Sequence, residues 1–120
     1  MTRRIERLNE QIRREIADIL QFGVKDPRIG FVTVTEARVA PDLSFARLYV
    51  RPMGDEKHQE AAFEGLRAAA PYIRRELGKR LKVRQIPELR FEADLALEHA
   101  LHIEKLLSDI KKSDADDTDV

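Results

Sequence analysis

The chain lacks cysteine and has few serines, and both features narrow the chemistry open to it. Without thiols it can form neither a disulfide nor a thiolate nucleophile, which is compatible with the cytosol. Serine occurs only at Ser44, Ser108 and Ser113, and none of these is next to a histidine. Phosphate-binding loops, dinucleotide fingerprints and hydrolase motifs are absent as well. Catalysis therefore has no positive support in the sequence.

Long apolar runs are also missing. No segment approaches the length needed to span a bilayer. The first ten residues, MTRRIERLNE, have no apolar stretch after their positive charges, as a secretory signal would require. We therefore expect no membrane partner.

Metal-ligating residues are sparse. His99 and His102 are three positions apart on a predicted helix, close enough to share a face. A zinc site would need one or two further ligands, and His58 lies far away in a polar turn. We expect surface histidines, no metal and no cofactor. A small hydrolase that uses His99 or His102 is kept as an alternative.

What the chain does have is charge, unevenly distributed. Its 120 residues are 42% hydrophobic and 37% charged, which suits one folded domain with a dense charged surface. The 22 basic and 22 acidic residues cancel overall. However, the last eight residues, SDADDTDV, hold four acids and no base, so residues 1–112 carry 22 − 18 = +4. We predict a domain over 1–112 and a disordered acidic tail over 113–120.

The stretch from residue 63 to residue 85 organises the rest of the chain. Its apolar residues recur every three or four positions, the period of one helix face: Phe63, Leu66, Ala70, Ile73, Leu77 and Leu81. Pro71 interrupts this pattern, so we expect two helices that meet at Ala69-Ala70-Pro71. The second half is strongly basic. Two interpretations stay open: it contacts a nucleic-acid backbone, or it is a solvated helix face.

The other segments predict a mixed α and β fold. An amphipathic helix ends near Gly23, a turn spans 25–30, and strands follow over 31–39 and 43–51 around a Pro41-Asp42 turn. The alternation of the first strand slips near Glu36, where a bulge would explain it. A third strand is expected over 89–94, with Leu89, Phe91 and Ala93 inward, and a last helix over 95–111. The simplest arrangement is a three-stranded sheet with all helices packed on one face.

The returning strand alternates aromatic and basic residues on one face: Phe45, Arg47, Tyr49 and Arg51. Such a face could stack RNA bases. Cross-strand packing, with arginine stems lying over the rings, is the simpler interpretation, and we favour it.

Three blocks of the sequence are distinctive: DPRIGFVTVTEARVAPDLSFARLYV, IRRELGKRL with IPELRFEAD, and HIEKLL. Together with the amphipathic first helix, these blocks resemble the ribosome-binding factor A family of bacterial small-subunit assembly factors, and the resemblance covers about residues 3–110. It implies a type II KH-like domain in which a helix-kink-helix replaces the usual G-x-x-G loop. The family has a glycine at the kink where this chain has Pro71, which has no amide to offer a phosphate.

The resemblance further implies a cytoplasmic, non-enzymatic protein, monomeric when free, that binds 16S rRNA in immature small subunits, assists precursor processing and matters at low temperature. We expect the basic half of the helix pair to provide most of the RNA affinity, with the start of the first helix as a second patch. The candidate RNA-binding residues are Arg67, Ala69, Ala70, Arg74, Arg75, Lys79, Arg80, Lys82 and Arg84, then Arg3, Arg4 and Arg7. The alternative is a protein-interaction adaptor that uses the amphipathic first or last helix without touching RNA.

Overall fold

The structure, a computed structural model, describes the backbone of residues 2–118 and the side chains of residues 3–111. The chain forms three helices and three strands. They are α1 (Thr2–Phe22), β1 (Val32–Val39), β2 (Phe45–Pro52), α2 (Glu56–Arg80), β3 (Glu88–Ala93) and α3 (Ala96–Thr118). The predicted order is confirmed, except that one helix, α2, stands where two helices were expected.

The strands form one sheet in the order β1-β2-β3. β1 and β2 are antiparallel and joined by a short turn, whereas β2 and β3 are parallel because α2 crosses over between them. The β1–β2 register shifts between Val34 and Glu36, which confirms the predicted bulge. The extra residue, Thr35, donates its hydroxyl hydrogen to the carbonyl oxygen of Tyr49 at 3.1 Å.

One face of the sheet packs against α1 and α2, and the core lies between them. The helices contribute fully buried residues from the predicted stripes: Ile12, Ile16 and Ile19 of α1 with Leu66, Ile73 and Leu77 of α2. The sheet contributes Ala46, Leu48 and Val50 of β2, its central strand. Burying this many aliphatic side chains is the main stabilising term of the domain.

The turn at residues 25–30 packs closely on α2 at Gly65. Asp26 organises the turn by accepting a hydrogen bond from the Arg28 amide at 2.9 Å. A Cβ on Gly65 would lie 2.8 Å from Cγ1 of Ile29, so only glycine lets the turn and the helix approach this closely. The contact fixes where the first half of α2 lies over the sheet.

The expectation of two separate helices at Ala69-Ala70-Pro71 is wrong. α2 is one helix from Glu56 to Arg80, with Pro71 inside it. Its N-terminus is capped by Asp55, whose side chain accepts from the His58 amide. Pro71 still removes one helical hydrogen bond, the one to the carbonyl of Arg67. The continuous apolar stripe on both sides of the proline, buried against one sheet, keeps the two halves in a single helix.

The last helix departs further from expectation. Its predicted stripe is exposed: Ile103, Leu106, Leu107 and Ile110 each expose about half of their surface, from 48% to 57%. Each helix is about 10 Å across, and the three strands are spaced about 4.8 Å apart. Two helices, α1 and α2, therefore cover this face of the sheet, and no room remains on it for α3. Ala93, expected inward, is also exposed at the end of β3.

The predicted tail over 113–120 falls on residues whose side chains lie outside the described range, and the assigned bounds of α3 run to Thr118. Its disorder in solution stays a prediction. In the described range, 2–118, no helix is both long enough and apolar enough to cross a bilayer.

Candidate RNA-binding surface

A groove lies beside the proline of α2, where the helix passes the edge strand β3. We call it the corner groove; its volume is about 470 Å³. It is lined by Arg67, Ala70, Pro71 and Arg74 of α2 and by residues 88–92 of β3. Ala69 and Ala70 are half-buried and contact the core, while Pro71 is exposed. The small residues therefore serve both packing and access at this corner.

Arg74 is less available than the sequence indicates. Its Nη2 and Nε donate to the carbonyl oxygen of Ile86 at 2.7 and 3.2 Å. Ile86 lies in the segment that connects α2 to β3, so Arg74 holds that connection in place. An RNA phosphate could bind Arg74 only by sharing its guanidinium group with the Ile86 carbonyl oxygen or by displacing that oxygen.

Arg80 and Lys79 are also held by partners within the chain. Arg80 donates Nη1 to Glu15 at 3.1 Å and to Asp18 at 2.5 Å, which ties the end of α2 to α1. These hydrogen bonds, the one to Asp18 first, raise the pKa of Arg80. Lys79 pairs with Glu76 at 3.0 Å on an exposed helix face, an interaction of small energetic consequence. Arg80 is therefore mainly structural.

Four cations of the predicted set in and after α2 have no ion pair among the described residues: Arg67, Arg75, Lys82 and Arg84. Arg67 lies over the ring of Phe63, with Cζ 5.8 Å from the ring centre. All four are exposed, and they can meet phosphates without breaking an ion pair within this part of the chain.

The predicted second patch joins this basic region. Arg3, Arg4 and Arg7 are exposed on the first turns of α1, again without an ion pair among residues 3–111. Arg4 and Arg7 line a second groove, of about 490 Å³, together with Val83, the residue between Lys82 and Arg84. We call it the terminal groove. The two patches that the sequence separates by about seventy positions are thus neighbours in the fold.

The sequence did not point to the apolar residues of the terminal groove as functional. They are Ile5 and Leu8 of α1, Pro41 and Leu43 of the β1–β2 turn, and Val83. The only available signal is local: Val83 is an apolar residue surrounded by cations, and Leu43 follows a Pro-Asp turn.

The outer face of the sheet carries the predicted aromatic and basic residues of β2. Arg90 and Arg47 lie over the Phe45 ring at 4.0 and 5.5 Å from its centre, and Arg38 lies over Tyr49 at 5.8 Å. The packing interpretation is confirmed. The arginines also face carboxylates: Arg38–Glu36, Arg47–Glu92, Arg51–Asp94 and Arg90–Glu88. This face is nearly neutral and is a weaker candidate for RNA than the two grooves.

The histidines do not form a centre. His99 and His102 are exposed on α3, and His58 Nδ1 lies 2.6 Å from Asp55 Oδ1 at the start of α2. Within the described residues, no group of three or more His, Asp or Glu side chains could hold a metal ion.

Comparison with known proteins decides the family. Residues 4–107 match the family model described as ribosome-binding factor A. The chain belongs to this family. The ribosome-binding factor A of Staphylococcus carnosus is 44% identical over 111 residues, which are 92% of this chain and 96% of the relative.

Solved members of the family share the fold. The crystal structure of ribosome-binding factor A from Thermus thermophilus has a TM-score of 0.70 and 29% identity, over 77% of this chain and 97% of that one. A homology model of the same protein, fitted into a cryo-EM map of a 30S–RbfA complex, has a TM-score of 0.61 and 30% identity, over 72% of this chain and 91% of that one. These members are KH-like, and the present chain has the same KH-like α+β fold.

Proposed function

We propose that this protein binds immature small ribosomal subunits through their 16S rRNA and assists the late maturation and processing of the 16S precursor. The observation that carries the proposal is family membership over nearly the whole domain. A related protein has been placed in a complex with the 30S subunit, which supports the same partner here. We further propose that the protein acts in the cytoplasm, is a monomer when free and matters most at low temperature.

The proposed mechanism is occupancy rather than catalysis. Exposed Arg and Lys side chains neutralise rRNA phosphates and release counterions, which supplies sequence-independent affinity. A bound protein stabilises the rRNA conformation it fits and so shifts the population toward it while other regions mature. No covalent step is needed, so the protein is proposed to be a binding factor and not an enzyme.

The corner groove is the proposed site of close backbone approach. Ala70 lines the groove with a small side chain that lets a backbone approach, and Arg67 lines it beside Ala70, whereas Ala69 does not line the groove. Pro71 cannot donate to a phosphate, but its missing amide frees the carbonyl oxygen of Arg67 from its helical partner. That oxygen is an acceptor, and the ribose 2′-hydroxyl of RNA is a donor it could accept from.

Binding to immature and mature small subunits, measured by co-sedimentation, tests the proposal. We expect the protein to pellet with immature subunits and to bind mature ones less tightly. Crosslinks mapped to both nucleotide and residue should fall on 16S rRNA and on the cations of the two grooves. Equal binding to naked, unrelated RNA of the same length would contradict the proposal, because it would leave only non-specific charge attraction.

The adaptor function remains a second candidate because the apolar residues of α3 are exposed. Leu97, Leu101 and Ile103 are each more than half exposed, although α1 has buried its own stripe. A protein of the small subunit could cover this helix. Changing Leu101 and Leu107 to Glu tests it. The adaptor function would be favoured over RNA binding if this variant no longer bound subunits and if binding by the wild-type protein did not depend on salt.

A further inference from the structure

The terminal groove combines an apolar floor with a basic rim. Ile5, Leu8, Leu43 and Val83 form the floor together with Pro41, while Arg4 and Arg7 lie at its side. Its volume of about 490 Å³ is within the range of about 300–1,000 Å³ typical of small-ligand sites. It is formed by three separate segments: the start of α1, the β1–β2 turn and the link from α2 to β3.

Leu43 is held in a conformation that leucine rarely adopts. Its φ is +62°, in the left-handed region where a side chain with a Cβ is disfavoured. The turn is closed by a hydrogen bond from the Leu43 amide to the Ala40 carbonyl oxygen at 2.8 Å. The result is that the Leu43 side chain reaches both the core and the groove. Local strain of this kind concentrates at sites that bind something.

The charge around the groove has one dominant sign. Arg3, Arg4 and Arg7 approach from α1, and Lys82 and Arg84 flank Val83; none has an ion pair among the described residues. The one carboxylate in the turn is Asp42, which accepts from the hydroxyl and amide of Ser44 at 2.7 and 3.1 Å. Glu6 and Glu10 lie on the side of α1 that faces Glu36 of β1, away from the groove. The groove itself is thus lined by two arginines and no acid, while Arg3, Lys82, Arg84 and Asp42 adjoin lining residues in the chain.

We propose that the terminal groove is a nucleotide-binding subsite, in which one unstacked base of single-stranded RNA packs on the Leu8, Leu43 and Val83 side chains while its flanking phosphates pair with the surrounding cations. This inference rests on the proposed function and names a site for it besides the corner groove. A base offers an apolar face between anionic phosphates, which is the pattern that the groove complements. Guanidinium planes of Arg4 and Arg7 can stack on the other face of the base.

Duplex RNA fits this groove poorly. Its bases are stacked inside the helix, so it would present phosphates, 2′-hydroxyls and base edges but no base face, and would leave the apolar floor uncovered. The chain's own acidic tail is also a poor occupant, because β3 begins at the groove end of the sheet and α3 leaves from the other end. At the groove end Phe45 pairs with Glu88, and at the far end Val50 pairs with Ala93.

Methyl NMR of the full chain tests the site, with a short single-stranded oligoadenylate and an RNA duplex of equal length as probes. We expect the methyl signals of Leu8, Leu43 and Val83 to shift with oligoadenylate and to stay in place with the duplex. The variant Leu43→Asn keeps a residue that tolerates the left-handed conformation but removes the apolar contact. It should weaken oligoadenylate binding roughly 3- to 10-fold, because part of the apolar contact of one leucine is lost, and leave duplex binding unchanged.

The matched control is Phe31→Asn, which removes an exposed apolar side chain at the opposite end of the sheet, beside Met53. This control should change neither the affinity for oligoadenylate nor the affinity for the RNA duplex. The inference is overturned if the three methyl signals stay in place with oligoadenylate, if the duplex shifts them equally, or if a synthetic SDADDTDV peptide shifts them instead. If these signals fail to shift while the protein still binds immature subunits, the subsite alone is wrong; if subunit binding itself is absent, the proposed function fails.

Discussion

Two regions of this molecule are similarly rich in Arg and Lys, but their cations differ in whether they already have a partner within the chain. In the second half of α2, Arg74 donates to a backbone carbonyl, Lys79 pairs with Glu76, and Arg80 bridges to α1. Around the terminal groove, by contrast, no ion pair among the described residues involves the following cations: Arg3, Arg4, Arg7, Lys82 and Arg84. Density of charge along a chain therefore does not measure how much charge is free to meet RNA.

The difference has a physical cause. A cation that already has a partner must exchange that partner for a phosphate, so its net gain is small, whereas a hydrated cation releases counterions from the RNA at little cost to the protein. This modifies the expectation that the basic half of α2 provides most of the affinity. We now expect the larger share from the terminal groove.

The largest effect should follow from changing Arg3, Arg4 and Arg7 together to Gln. Three lost phosphate contacts flatten the slope of log affinity against log salt by roughly 2 to 3 units. When the salt is raised from 50 to 200 mM, the affinity of the variant for immature subunits should therefore fall by a factor roughly 20- to 40-fold smaller than that of the wild-type protein. Salt titration of subunit binding measures it. An unchanged slope would show that these arginines do not touch RNA.

Next in size is the replacement of Ala70 by Leu in the corner groove. Because Ala70 is half-buried and contacts the core, the larger side chain should overpack it and lower the free energy of unfolding by roughly 1–3 kcal/mol. If the corner is also a contact, subunit binding should weaken at temperatures where the variant is fully folded. Thermal unfolding and binding measured on the same sample separate the two. Lost stability with intact binding would leave the corner as packing only.

A smaller effect on binding is expected from the matched triple change of Arg74, Arg75 and Lys79 to Gln. Only Arg75 lacks an internal partner among the described residues, so the salt slope should flatten by about 1 unit or less. The melting temperature should fall, because the Ile86 carbonyl loses its two donors. The single change Arg75→Gln should reproduce the slope without the loss of stability. If the slope changed more in this variant than in the variant of Arg3, Arg4 and Arg7, the basic half of α2 would provide most of the RNA affinity after all.

The smallest effect should come from Asp42→Asn at the terminal groove. Removing this acid of the adjoining β1–β2 turn should tighten RNA binding by no more than about fivefold at pH 7. Hydrogen bonds from Ser44, its hydroxyl first, lower the pKa of Asp42 in the folded protein. The ionised carboxylate therefore contributes stability above its unfolded pKa of about 3.9, and that contribution is lost as the pH falls through the lower folded pKa.

Thermal unfolding between pH 7 and pH 2 checks the sign of this contribution. The wild-type chain should lose stability more steeply than the Asn variant below about pH 4. Identical profiles would mean that the Ser44 hydrogen bonds do not stabilise the turn. Weaker RNA binding by the Asn variant at pH 7 would contradict the basic character assigned to the groove.

Much of the fold could be predicted from the sequence, because the residues that repeat with a helix or strand period are the residues that the structure buries. Ile12 and Ile16 repeat with the helical period and are buried, and the break in alternation near Glu36 is a bulge in the sheet. The two errors in the helices have one origin. A proline in a helical pattern predicts a break, and an apolar stripe predicts burial, but each outcome depends on what else covers the same sheet face.

The candidate site was less readable. Apart from Ala69 and Ala70, the candidate RNA-binding residues were predicted from their charge, and charge is a property of single positions. Whether Arg80 is free depends on Glu15 and Asp18, which lie more than sixty positions earlier. No local pattern predicts such a pairing.

By itself, the sequence determined the order of the elements, the apolar faces of α1 and α2, the absence of thiol chemistry and the resemblance to one family. These properties reside in composition and in short periodic patterns, which act over a few residues. Only the tertiary structure decided that α2 continues through Pro71, that α3 remains uncovered, and that Leu43 and Val83 meet beside Arg7. Those outcomes depend on contacts between segments distant in the chain, and the limited area of one three-stranded sheet determines which segments obtain them.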